Sequence, residues 1–244
     1  MEQEKNMIVE HLKDHFFNEL TKEEHLEKIK EGTLSYNRLM TYYRCAIMEV
    51  ETKFKVLNEQ FSLRYDENPI EAIKSRLKSP DSIMKKMRKK NIPMTTEGIE
   101  ENIFDIAGIR IICSFKEDIY KMADLLLQQD DITLIEKKDY IKNPKPNGYR
   151  SYHMIVEVPV FFSSSKKNIR VEVQIRTIAM DFWASLDHQL KYKKQLDAQE
   201  AAEIGAELKK CADVIAETDC KMLSIRQKIE EKHPTQEEYR DVNE

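Results

Sequence analysis

From Tyr36 to Phe61 the apolar positions Leu39, Tyr43, Ile47, Val50, Phe54, Leu57 and Phe61 follow one another at spacings of three and four. That is the stripe of a helix packed on a core. Residues 1–33 are highly charged, with Ile8, Leu12, Phe16 and Leu20 four apart, which predicts a short amphipathic helix appended to the main body. Further on, Pro69 suits a first helical turn, with Asn68 as its cap and Glu71 near the positive end of the dipole. A helix is therefore expected to carry the next stretch, with Ile73, Leu77 and Ile83 inward and Lys78, Ser82, Lys85 or Lys86, and Lys89 sharing another face.

After Pro93 the period falls to two. Ile109, Ile111, Cys113 and Phe115 are expected on one side of a strand, with Arg110 on the other. A helix from Glu117 to Gln129 and a strand from Ile132 to Glu136 follow, and Asn143-Pro-Lys-Pro-Asn-Gly148 marks an exposed, shaped loop. Two strands leave that loop. Tyr152, Met154, Val156 and Val158 alternate in Ser151 to Val160, and Ile169, Val171, Val173 and Ile175 alternate in Asn168 to Arg176, with a turn over 163–167 between them. A helix from Ala179 to Leu190 is expected to bury Phe182, Trp183, Leu186 and Leu190. Beyond it Ile204, Leu208, Cys211, Ile215, Thr218, Met222, Ile225 and Ile229 form a narrow heptad seam for the N-terminal helices or a second copy of the chain. From Pro234 onward no apolar period remains.

These elements predict an α+β fold with a mixed sheet of four to five strands flanked by helices. They divide the chain into an N-terminal helical extension over 1–35, a main body over 36–196, a packing or oligomerisation helix over 197–233 and a tail over 234–244. With 244 residues, 41% of them apolar, the chain can bury a full core. No apolar run approaches the roughly 20 residues that span a bilayer, and Met1 to Asn6 is charged, so a soluble cytoplasmic protein is expected. Cys45, Cys113, Cys211 and Cys220 make no C-x-x-C pair and are expected as buried, reduced thiols.

Charge and glycine usage narrow the chemistry. The five glycines cannot write either a P-loop or a G-x-G-x-x-G turn, so any phosphate binding falls to cationic side chains. Lys74 to Lys90 carries a local charge of +7 in a chain whose formal net is −4. It reads either as a solvated helix face or as a site for a polyanion such as a nucleotide or RNA. The outer face of the last strand runs Arg170, Glu172, Gln174, Arg176, and Arg110 and His153 occupy the polar faces of other strands. Such a sheet is either wet on one side or the floor of an active site over a core. His11 and His15 stand four apart without the H-E-x-x-H pattern and read as surface-helix residues rather than as a metal pair. Cations, carboxylates and a Pro-Gly loop point to phosphoryl-type transfer, and the substrates stay open at this point.

Ser75-Arg-Leu-Lys-Ser-Pro-Asp-Ser-Ile, Asp105-Ile-Ala-Gly-Ile-Arg110, Gly148-Tyr-Arg-Ser-Tyr-His153, Glu172-Val-Gln-Ile-Arg-Thr177 and Met180-Asp-Phe-Trp-Ala-Ser resemble, in order and spacing, the small alarmone synthetases. These are single-domain relatives of the Rel stringent-response enzymes, with a nucleotidyltransferase-like fold. The resemblance covers about Tyr36 to Ile229. It implies transfer of pyrophosphate from ATP to the 3′-hydroxyl of GDP or GTP, giving ppGpp or pppGpp and AMP, with no hydrolase. Carried over motif by motif, Arg76 and Arg110 would sandwich the adenine, and Lys78, Ser82, Lys86 and Arg88 would hold the ATP phosphates. Asp105 and Glu172 would bind Mg²⁺, with Glu172 also orienting or deprotonating the attacking hydroxyl. Tyr149 would stack on the guanine, with Lys145, His153 and Gln174 around the acceptor and Arg150 and Arg176 in or near the site. A homo-oligomer is implied, a tetramer first. Ala72 and Lys74, where one branch has an aromatic residue before the Arg-x-Lys motif, resemble the branch without product activation. An RNA-binding module without catalysis, binding single-stranded RNA on the basic segment and Tyr149, and a scaffold working through its heptad helix are the alternatives.

Overall fold

A computed structural model describes residues 23–65, 68–191 and 197–232. The expected helix with Ile8, Leu12, Phe16 and Leu20, the pair His11 and His15, and the tail from Pro234 lie outside the described residues. Helix α1 (Glu23–Tyr65) carries the first stripe, and Leu39, Tyr43, Ile47, Val50, Phe54, Leu57 and Phe61 are all buried. It lies across four strands of the sheet. Then come β1 (Ile70–Leu77), α2 (Pro80–Lys90), α3 (Thr96–Asn102), β2 (Ala107–Cys113), α4 (Lys116–Leu127), β3 (Thr133–Asp139), β4 (Tyr152–Phe161), β5 (Lys166–Thr177), α5 (Ile178–Lys191) and α6 (Ala198–Lys232).

The five strands are ordered β1-β2-β5-β4-β3, with β2 and β5 parallel and every other pair antiparallel. One face is apolar. Ile109 and Ile111, Met154, Val156 and Val158, and Val171, Val173 and Ile175 form a single core with α1 and with Ile119, Met122 and Leu126 of α4. The opposite face keeps the polar row, and the strand register aligns it. Lys74, Arg110, Gln174 and His153 are successive neighbours across β1, β2, β5 and β4, and Arg76, Gly108 and Glu172 form a second row beside them.

The expected helix from Pro69 is corrected. Residues 70–77 are an edge strand, and the helix starts at Pro80 under an N-cap by Ser79, whose side chain accepts from the Ser82 N–H. Ile73 and Leu77 stand four apart, a spacing that fits both a helix and a strand. Pairing with β2 decides in favour of the strand, where Ile73, Ser75 and Leu77 lie opposite Ile111, Ile109 and Ala107. Phe115 lies past the end of β2 and precedes α4, whose Asp118 accepts from the Phe115 N–H at 3.0 Å.

The C-terminal helices also differ from expectation. Trp183 is buried, but Phe182, Leu186 and Leu190 are exposed, because α5 turns Met180, Asp181 and Trp183 inward instead. On α6 the buried residues are Leu208 and Ala212, with Ile215 half-buried, while Ile204, Cys211, Thr218, Met222, Ile225 and Ile229 of the seam are exposed. Of the four free thiols only Cys113 is buried; Cys211 and Cys220 are exposed. Among the described residues no helix is long and apolar enough to cross a membrane.

Candidate active site

The polar sheet face bears a cleft of about 220 Å³ lined by Lys74, Ser75, Arg76, Gly108, Ile109, Arg110, Glu172 and Gln174. Gly108 explains its floor. A Cβ there would stand 3.3 Å from Arg76 Cγ, so a side chain at 108 would crowd Arg76 by a few tenths of an ångström where it lies across β2 toward Glu172, with its Nη2 3.8 Å from Glu172 Oε2. Glu172 Oε2 also accepts from Gln174 Nε2 at 3.0 Å, and Oε1 lies 3.7 Å from His153 Nδ1. Burial pushes the Glu172 carboxyl up, but His153 and Gln174 outweigh it and hold the group below the ordinary glutamate range.

Asp105 sits in the bend between α3 and β2, where two lysines meet it. Lys78 Nζ, just past β1, lies 2.9 Å from Oδ2, and Lys86 Nζ on α2 lies 2.8 Å from Oδ1. Burial raises the Asp105 pKa, and these two ammonium groups more than reverse the effect. Ser82 is exposed in the first turn of α2, where its Oγ accepts from Ser79 Oγ at 2.9 Å. Arg88 is exposed and about 200° around the helix from Lys86, in the last turn where cations complement the dipole. The structure does not bring it to the other cations.

A second cluster adjoins Glu172. Tyr149 Oη lies 2.8 Å from His153 Nε2 and accepts from Arg176 Nη2 at 2.8 Å, while the same Nη2 donates to Gln174 Oε1 at 2.7 Å. Burial pushes the His153 imidazole down, against the pull of Glu172, so it is neutral at pH 7. A neutral ring that accepts at Nε2 from the Tyr149 hydroxyl carries its proton on Nδ1, the atom 3.7 Å from Glu172 Oε1. Lys145 Nζ stands over two rings, 4.6 Å from Tyr140 and 4.8 Å from Tyr149. Arg150 points away from this cluster, donating to Asp213 Oδ1 at 3.0 Å and to the Ala212 carbonyl at 3.2 Å. It anchors the 143–150 loop to α6. Gly148, at φ 89°, completes the contact, since a Cβ there would meet Ala212 Cβ at 2.6 Å.

Thus the fold gathers Arg76, Lys78, Lys86, Asp105, Arg110, Glu172 and Gln174 with Tyr149, His153, Lys145 and Arg176 around one sheet face, with Ser82 at the start of α2. Asp181 and Tyr140 also belong to it and carried no role in the sequence reading. Asp181 takes Lys74 Nζ at 2.9 Å, Arg110 Nη1 at 3.2 Å and Arg176 Nη1 at 3.4 Å. A polar residue in the first turn of a helix whose next inward position is Trp183 was the available signal. Among the described residues no three His, Cys, Asp or Glu side chains converge as a metal site.

The region found in RelA/SpoT proteins matches residues 75–197, which contain Asp105, Glu172, Asp181 and the rings of this site, and all of its cations except Lys74, one residue before the match. The chain belongs to the RelA/SpoT family. Within it, GTP pyrophosphokinase YwaC of Bacillus subtilis (strain 168) is 41% identical over 206 residues, covering 84% of this chain and 97% of that protein. The small alarmone synthetase 1 of Bacillus subtilis bound to its product pppGpp superposes with a TM-score of 0.72 at 36% identity, covering 80% of this chain and 97% of that one. The same synthetase bound to AMPCPP gives 0.68 at 34% identity, covering 80% and 98%. The chain that superposes on them has a five-stranded mixed sheet among helices, with a long helix at its C-terminal side.

Proposed function

We propose that this chain transfers pyrophosphate from ATP to the 3′-hydroxyl of GDP or GTP, releasing AMP and giving ppGpp or pppGpp, without hydrolase activity. The observation that carries the reading is the shared edge at Glu172. On one side lie the cleft and the Lys78–Asp105–Lys86 cluster; on the other lie Tyr149, His153 and Arg176. Arg76 and Arg110 hold the adenine by guanidinium stacking, and Lys78, Lys86 and Ser82 hold the donor phosphates. Tyr149 receives the guanine, with Lys145, His153 and Gln174 beside the acceptor.

Glu172 orients the 3′-hydroxyl and takes its proton as the oxygen attacks the β-phosphorus of ATP. The bond from that phosphorus to the α,β-bridging oxygen breaks, and AMP leaves with the electron pair. Asp105 and Glu172 suit a divalent cation, with Mg²⁺ the natural choice, since it takes one or two carboxylates and fills its shell with phosphate oxygens and water. When bound it would neutralise charge on the transferred phosphates. With a cation on Asp105, Lys78 and Lys86 would be available for those same oxygens.

The exposed apolar residues of α5 and α6 support a homo-oligomer, a tetramer first, in which residues 197–233 form the assembly helix. The test of the reaction is incubation of the purified chain with Mg²⁺, ATP and GDP or GTP, followed by anion exchange. AMP and a more highly charged guanosine product in equal amounts are expected. Recovery of both nucleotides unchanged contradicts the proposal.

A further inference from the structure

Asp181 is a buried carboxylate, its side chain 9% exposed, in the first turn of α5. A charge removed from water in this way needs partners, and it has three. Lys74 meets Oδ2, while Arg110 and Arg176 both meet Oδ1. Lys74 and Arg110 line the cleft assigned to the donor nucleotide. Arg176, 3% exposed, belongs to the other cluster, where it donates to Tyr149 Oη and Gln174 Oε1. A single oxygen thus joins a guanidinium of one pocket to a guanidinium of the other.

The β2–β5 register brings Arg110 and Arg176 to neighbouring strands, and Asp181 Oδ1 is the atom that both guanidiniums share. The Nε atoms of Arg110 and Arg176 are buried with no hydrogen-bond partner among the described residues, so both are fixed through their Nη groups. Burial first, and then the like charge of Arg110, disfavour the charged form of Arg176, against the pull of Tyr149 and Asp181. One carboxylate among three cations leaves a local excess of positive charge, which suits a site that receives two polyanions.

We propose that Asp181 is a positioning residue common to both nucleotide subsites, setting Arg110 against the donor base and Arg176 against Tyr149 through one shared oxygen. The inference rests on the pyrophosphokinase reading above. It predicts that neutralising Asp181 weakens both substrates together, although the residue touches neither.

The test compares steady-state constants of wild type, Asp181→Asn, Arg110→Gln and the double variant, with circular dichroism and thermal melting confirming that each is folded. Loss of a charge-assisted hydrogen bond corresponds to about tenfold or more in binding, so Asp181→Asn should raise KM for ATP and for GDP each by about tenfold, with a smaller change in kcat. In the Arg110→Gln background, Asp181→Asn should add less than about twofold to the ATP KM and still raise the GDP KM, the non-additivity expected of a residue acting through another. Unchanged KM for either substrate, or full multiplication of the two effects on ATP, overturns the proposal. Should Asp181→Asn not fold, Asp181→Glu keeps the charge and displaces the shared oxygen. Raised KM for both substrates then supports the assignment, and a change in one or neither overturns it. A wild-type chain that forms no AMP refutes the pyrophosphokinase reading itself, whereas wild-type turnover with unaltered constants in the variants refutes only the role of Asp181.

Discussion

Glu172 stands where three influences meet: burial, the His153 imidazole and the Gln174 amide. Its depressed pKa keeps it ionised at neutral pH, ready to accept a hydrogen bond from an alcohol. Glu172→Gln keeps the shape and removes the proton acceptor, so synthesis should fall by about 10²-fold or more with the circular dichroism spectrum unchanged. Near-wild-type turnover would exclude Glu172 from the mechanism, and an RNA-binding module without catalysis would leave the function of that variant intact. His153 gives a pH prediction. Its folded pKa is depressed by burial, so the stability it contributes is complete above the ordinary histidine value of about 6.5 and is lost as pH falls through the folded value. Asp105 and Glu172 are depressed too and act in the same direction at lower pH. Thermal midpoints should therefore decline on acidification from pH 7, and His153→Gln should flatten the first part of that decline. A profile identical to wild type would contradict the buried neutral imidazole.

At the scale of elements, what is local was legible and what is relational was not. The stripe of α1 and the alternation of β4 and β5 could be read directly, because each buries one continuous face against the core. The basic segment misled because Ile73 and Leu77 satisfy two periods, and Ser79-Pro-Asp81 was the stronger helix start. The motif cations and carboxylates could be picked out from spacing and resemblance. Asp181 could not be given a role, since its meaning lies in three partners at sequence separations of 107, 71 and 5. The resemblance puts Arg150 in or near the site, and what spacing does not show is that it also ties the loop to α6, through an aspartate 63 residues away. That loop carries a prediction. Gly148→Ala introduces both an unfavourable positive φ and a Cβ on Ala212, and should cost about 1–3 kcal/mol and raise the acceptor KM. Ala212→Gly should relieve the clash and leave the φ strain, giving partial recovery of both. An additive double variant would contradict the contact. At the other end of the site, Ser79→Ala should cost about 1 kcal/mol through the lost cap on α2, measurable by urea unfolding.

The whole molecule divides its labour between two faces of a sheet: α1 and α4 close the apolar face, and the polar face is left open to the nucleotides. α6 serves both loop and surface. Its inner side holds Gly148 and Arg150, and its outer side exposes Met222, Ile225 and Ile229. A mass above that of one 28.9 kDa chain is expected by light scattering, and Met222→Glu with Ile225→Glu should reduce it to the monomer. A monomeric wild type would assign that surface no role in assembly. In the proposed reaction pyrophosphate moves as one unit onto the guanosine nucleotide. This transfer is tested most directly with ATP labelled separately at the β- and γ-phosphates, mixed with GDP and Mg²⁺. Both labels should appear in the guanosine product in equal amounts, matched one to one by unlabelled AMP. Label released as orthophosphate with ADP, or retained in ATP, would contradict the account.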